Sequence, residues 1–66
     1  MRAEVGQIWQ ENSTYFLILG IEVIPEDDVS YLRYKYRLLY LADGTLDTIT
    51  LAHRPIESCT WMQFVA

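Results

Sequence analysis

The sequence predicts a small all-β domain, and more specifically a five-stranded SH3-like small β-barrel. Three observations carry that prediction. Residues 31–40 (Y-L-R-Y-K-Y-R-L-L-Y) form the longest period-2 run in the chain, the alternation of a strand with one face buried. Asp43-Gly44 stands between two apolar alternating runs, the strongest short-range hairpin signal. Residues 14–24 (T-Y-F-L-I-L-G-I-E-V-I) are almost all β-branched, aromatic or aliphatic, as in a deeply buried strand.

The elements follow in order. Residues 4–10 read as a short first strand with Val5, Ile8 and Trp9 as its apolar members, interrupted by Gly6 as at a bulge. Glu11-Asn12-Ser13 is turn-forming. The second strand, residues 14–24, carries Gly20 at its middle, where a long strand in a small barrel has to bend. Pro25 ends it, and Glu26-Asp27-Asp28 continues as a solvated acidic loop that lacks the ligand spacing of a calcium loop.

Residues 31–40 then form the central strand. A two-residue turn at Asp43-Gly44 sets Leu41 opposite Leu46, Leu39 opposite Thr48, Leu38 opposite Ile49 and Tyr36 opposite Leu51. One face so defined carries Leu32, Tyr34, Tyr36, Leu38, Ile49 and Leu51, a core. The other carries Arg33, Lys35, Arg37, Thr48 and Thr50 and becomes apolar at Leu39, Leu41 and Leu46. His53-Arg54-Pro55 breaks the ladder, residues 56–59 allow a single helical turn, and residues 60–65 (T-W-M-Q-F-V) close the sheet as an edge strand paired with the first. Five strands, a tight hairpin between the third and fourth, and one short turn before the fifth match the order of an SH3-like barrel. An open antiparallel β-meander completed by dimerisation is the alternative.

Composition bounds the function. The 66 residues allow one domain, with a modest core. A hydrophobic share of 52% exceeds what so small a body hides, and predicts an exposed apolar patch and self-association, most simply as a homodimer. Five Lys and Arg against nine Asp and Glu give a net charge of −4, which argues against general affinity for phosphate backbones. Cys59 is the single cysteine, so there is neither a disulfide framework nor a thiolate zinc site, as befits a cytoplasmic protein. No run is long enough to span a bilayer.

A fragment of the opening, Val5-Gly6-Gln7-Ile8-Trp9 followed by Tyr15-Phe16-Leu17-Ile18-Leu19, resembles the start of the MazF/PemK toxin ribonucleases, whose barrels begin with a glycine, an apolar residue and a tryptophan. The resemblance covers about a quarter of the chain and implies a barrel. That family's Arg-Pro pair before the second strand is replaced here by Asn12-Ser13-Thr14, and the activity is not carried over with the likeness.

Three constellations are candidates for function. Arg33, Lys35 and Arg37, with Tyr31 at the strand's end, form a basic row beside aromatics, the arrangement with which small barrels hold single-stranded nucleic acid and equally one that suits an acidic protein. Leu39, Leu41 and Leu46, extended to Trp61, form an exposed apolar tip rimmed by residue types that dominate protein interfaces. His53, Cys59 and Asp47 include the residue types of a nucleophile, base and orienter, but at a spacing that matches no catalytic signature. One His, one Cys and scattered carboxylates make no tetrahedral metal set, and Gly6, Gly20 and Gly44 stand too far apart to cradle a phosphate, so no cofactor is expected. The reading is a non-enzymatic protein-binding module using the outer face of its third and fourth strands. Such solitary barrels serve as phage or mobile-element accessory proteins that inhibit or modulate a host factor. A single-stranded nucleic-acid or nucleotide binder and a toxin-like ribonuclease are the alternatives.

Overall fold

The computed structural model describes residues 2–25, 32–52 and 54–66. Tyr31, His53 and the acidic residues Glu26, Asp27 and Asp28 lie outside the described residues. Five antiparallel strands form one sheet: β1 (Ile8–Glu11), β2 (Thr14–Pro25), β3 (Leu32–Tyr40), β4 (Leu46–Ala52) and β5 (Met62–Phe64), with a 3₁₀ turn over Ile56–Ser58 between the last two. The strand order is β4-β3-β2-β1-β5. The first four strands are a meander, and β5 returns across it to pair with β1, Gln10 lying opposite Gln63. The sheet does not close, because no ladder joins β4 to β5. What the fold shows is an all-β domain whose sheet, among the described residues, has two unpaired edges.

The first strand begins later than the alternation predicts. Gly6 takes a φ of +94°, open to glycine and rarely to other residues. This turns the chain so that the Gly6 amide donates to the Ile18 carbonyl at 2.9 Å before the ladder proper starts at Ile8. Asn12, at φ +55°, forms the β1–β2 turn with Ser13, and asparagine tolerates that left-handed geometry because its side chain competes well for local hydrogen bonds.

β2 is bent by a bulge. Ile18 lies opposite Leu38 but Gly20 lies opposite Arg37, so Leu19 is an extra residue on the β2 side. Before the bulge Phe16 and Ile18 face inward; beyond it Ile21 and Val23 do. The continuous apolar run is therefore explained by a change of phase as well as by burial. β2 is buried only at its middle, with Tyr15 and Val23 exposed at either side.

The core consists of Trp9, Phe16, Ile18, Tyr36, Leu38, Ile56, Cys59 and Met62 with Ala3, and Ile21, Tyr34, Tyr40, Ile49 and Leu51 pack against it. Edge-to-face aromatic pairs join Trp9 to Phe64 at 5.8 Å and Phe16 to Tyr40 at 6.3 Å. The Ile56 amide, at the start of the 3₁₀ turn, donates to Tyr36 Oη at 2.8 Å inside the core, satisfying a donor that no strand could reach. Leu32 departs from the predicted core: it is on the inner face but beyond the covered region, and is exposed.

The β3–β4 hairpin corrects the predicted turn. The Tyr40 amide donates to the Thr45 carbonyl, and the Gly44 amide to the Tyr40 carbonyl, both at 2.9 Å. The loop thus holds four residues, 41–44, and Leu39 lies opposite Leu46, Leu38 opposite Asp47 and Tyr36 opposite Ile49. A type I′ turn would demand positive φ at Asp43 as well as Gly44; only Gly44, at +73°, has it. Asp43 instead uses its carboxylate to accept the Thr45 amide at 3.0 Å. The register differs from the prediction by two residues, an even number, so every side chain keeps its predicted face.

Candidate functional site

The outer face of β2, β3 and β4 is built in rows across the strands. From the loop end inward these are Leu17, Leu39 and Leu46; then Gly20, Arg37 and Thr48; then Glu22, Lys35 and Thr50; then Ile24, Arg33 and Ala52. The bulge is what brings Gly20 beside Arg37, and the missing side chain leaves room for the guanidinium. A Cβ at Gly20 would stand 2.8 Å from Arg37 Nε. Arg37 is exposed and has no ion pair among the described residues. Glu22 faces Lys35 across the ladder, which sets a carboxylate within the basic row.

The apolar end of the face is assembled by the hairpin. Leu39 and Leu46 are direct cross-strand neighbours, and Leu46 is 69% exposed. Leu41, 47% exposed, donates its amide to the Tyr15 carbonyl at 3.0 Å, which adds exposed Tyr15 to the patch. Between the apolar end and Arg37 runs an open groove of about 360 Å³ lined by Leu19, Arg37, Leu38, Leu46, Asp47 and Thr48. Leu19, Leu17 and Tyr15 are site residues that the alternation of β3 and β4 alone does not reveal. The signal for Leu19 is Gly20, whose position marks the bulge that sets Leu19 and Gly20 together opposite Arg37.

Trp61 is 52% exposed but precedes β5, at the opposite edge of the sheet from β4. Arg33 and Lys35 share the Arg37 face, and Tyr31, the row's predicted end, lies outside the described residues.

The free edge of β4 has a defined polarity. Because Tyr40 and Thr45 exchange a ladder bond, Asp47, Ile49 and Leu51 turn their backbone polar groups toward β3, while Leu46, Thr48 and Thr50 turn theirs outward. One of these outward groups is occupied: the Thr48 amide donates to Asp47 Oδ1 at 2.7 Å. Asp47 Oδ2 in turn lies 3.5 Å from Tyr40 Oη. Partial burial, and then the Asp47 charge, push the Tyr40 hydroxyl pKa up.

Of the nucleophile, base and orienter types, His53 lies outside the described residues, and Cys59 and Asp47 each have other partners. Cys59 is buried, with Sγ 3.8 Å from the Pro55 carbonyl, and burial pushes its thiol pKa up, with Glu57 adding and Arg54 opposing. A thiol so placed is a poor nucleophile. Asp47 is on β4 and engaged with Thr48 and Tyr40. Among the described residues no three His, Cys, Asp or Glu side chains come together as a metal set, and no helix is long and apolar enough to cross a membrane.

In comparisons with known proteins, no family model matches the chain, no curated protein matches it and no solved structure matches its fold.

Proposed function

We propose that the protein is a non-enzymatic protein-binding module and that it docks through the outer face of β3 and β4. The observation that supports this reading is the make-up of that face. In a chain of net charge −4, three of the five Lys and Arg residues lie on β3, and their row runs into a patch of half-buried Leu39 with exposed Leu46 and Leu41. Apolar anchors beside a basic rim suit a partner whose surface pairs apolar side chains with carboxylates. The finer reading of the fold as an SH3-like barrel belongs to the same proposal. It is supported by the strand order, the bulged β2 shared between the two halves of the sheet and the 3₁₀ turn ahead of β5.

The test compares proteins captured from the native host on immobilised wild type and on Leu39→Asp and Leu46→Asp variants whose circular dichroism is unchanged. A species retained by wild type and lost by both variants is the expected result; identical capture by all three would sink the proposal. Single-stranded nucleic acid is the opposing occupant of the same face. Glu22 within the basic row works against it, and fluorescence anisotropy with short oligonucleotides decides, since phosphate binding must weaken steeply with salt.

A further inference from the structure

The free edge of β4 and the outer face meet at one place, and their chemistry is complementary to a particular kind of chain. Leu46, Thr48 and Thr50 point both their backbone polar groups to the open edge and their side chains to the outer face. A strand added antiparallel to β4 would therefore set alternate side chains beside Leu46, Thr48 and Thr50. Beside Leu46 the cross-strand neighbour is Leu39, and the two leucines call for an apolar side chain. Beside Thr48 the next residue inward is Arg37, its backbone two strand spacings or roughly 10 Å from the added strand; its guanidinium rests over Gly20 on the β2 side and has to swing across the small Thr48 to meet a glutamate there. We propose that the β4 edge captures an extended segment of another protein with the pattern acidic, any residue, apolar, read from N- to C-terminus, by adding it as a sixth strand. The proposal rests on the protein-binding reading of this face and adds the partner's chemistry and geometry.

Charge and pattern select this occupant over the β4 strand of a second copy. On the outer face a second β4 offers Leu46, Thr48, Thr50 and Ala52, and no carboxylate for Arg37. Asp47 belongs to the opposite face, where it blocks the edge in a modest way by holding the Thr48 amide. That hydrogen bond is the contact an incoming carbonyl must replace, so Asp47 acts as a gate on the edge.

The probe is a fluorescein-labelled, C-amidated peptide of sequence Thr-Val-Glu-Thr-Leu, which sets Glu opposite Thr48 and Leu opposite Leu46. Anisotropy is read against full-length wild type and folded Arg37→Gln, Leu46→Ser and Asp47→Ala variants at low and at 0.3 M salt. Wild type should bind with salt-sensitive affinity, and Arg37→Gln should weaken binding by about threefold at low salt, the effect of one exposed charge pair. Leu46→Ser should also weaken it, while Asp47→Ala should tighten it by freeing the Thr48 amide. Methylating the peptide's Glu nitrogen, which faces β4, should weaken binding about tenfold by removing one backbone hydrogen bond; methylating the next Thr nitrogen, which faces away, should leave binding unchanged.

No binding at millimolar protein overturns the proposal. So does equal binding of the two methylated peptides, or a dimer in light scattering whose mass the peptide leaves unaltered. If binding depends on Arg37 and Leu46 but not on the Glu nitrogen, edge addition is wrong and the face reading stands, because the face is tested separately by Leu39→Asp and Leu46→Asp.

Discussion

At the scale of single residues, Tyr36 joins sheet and 3₁₀ turn. Its ring fills the core and its hydroxyl oxygen accepts the Ile56 amide, so Tyr36→Phe leaves a buried donor unpaired. A loss of about 1–3 kcal/mol is expected, read as a lower urea midpoint at constant m-value. Tyr36 and Cys59 also set the alkaline limit of stability. Burial, the leading cause for each, raises their folded pKa above the unfolded value, so their contribution is complete below the unfolded pKa. Above it the unfolded chain releases protons that the folded chain still holds, and stability falls as pH rises through the folded values. Urea midpoints should therefore decline from the thiol range upward, and the decline should be shallower in Tyr36→Phe. Asp43 acts in the opposite direction. Its carboxylate, held below the usual range by the Thr45 side chain and amide, contributes above the unfolded pKa and is lost as pH falls, a small effect at an exposed site.

At the scale of elements, the hairpin and the bulge define the face. Gly44→Ala forces a side chain into φ +73° and should cost about 1 kcal/mol. Gly20 has no such backbone requirement, and its neighbour is the far end of a flexible side chain. Gly20→Ala should change stability by less than about 1 kcal/mol, while the Arg37 Nε–H resonance moves in an NMR spectrum; an unchanged resonance would mean that Arg37 does not lie over the glycine. These elements were also the legible ones. Alternation places Tyr36 and Leu38 inside and Arg37 outside, and Asp43-Gly44 locates the hairpin because few other dipeptides suit its backbone. The loop length is not legible, because Asp43-Gly44 serves two-residue and four-residue connections alike, and only the φ of Asp43 separates them. The pairing of Tyr36 Oη with Ile56, twenty residues away, leaves no local trace in the sequence. Nor does the distance of Trp61 from the β4 edge, which depends on the strand order of the whole sheet.

At the scale of the molecule, the extents of 38 × 21 × 17 Å reflect strands that outrun their core. Val23 and Leu32 are on the inner face near the far end of the β2–β3 arm, and both are exposed. Amide exchange of that arm should be faster than that of the Phe16, Ile18 and Leu38 region by several orders of magnitude, since local opening there uncovers little apolar surface. Equal protection of both regions would show that something covers the arm in solution. The small core also predicts intolerance: Phe16→Ala should cost about 3–5 kcal/mol, a large part of the roughly 5–15 kcal/mol that keeps a typical domain folded, and is best read as a drop in denaturation midpoint.

The extra residue in β2 separates two properties that strands ordinarily couple. Deleting Leu19 would bring Gly20 directly after Ile18 and restore unbroken alternation, with Ile21 still opposite Tyr36 and Val23 still opposite Tyr34. Leu19 is thus a position where the chain can lose a residue and keep its pairings, giving up only curvature and one wall of the groove. Lineages that shorten β2 at this point would flatten the outer face without redesigning the core, so the shape of that face can drift independently of the fold that carries it.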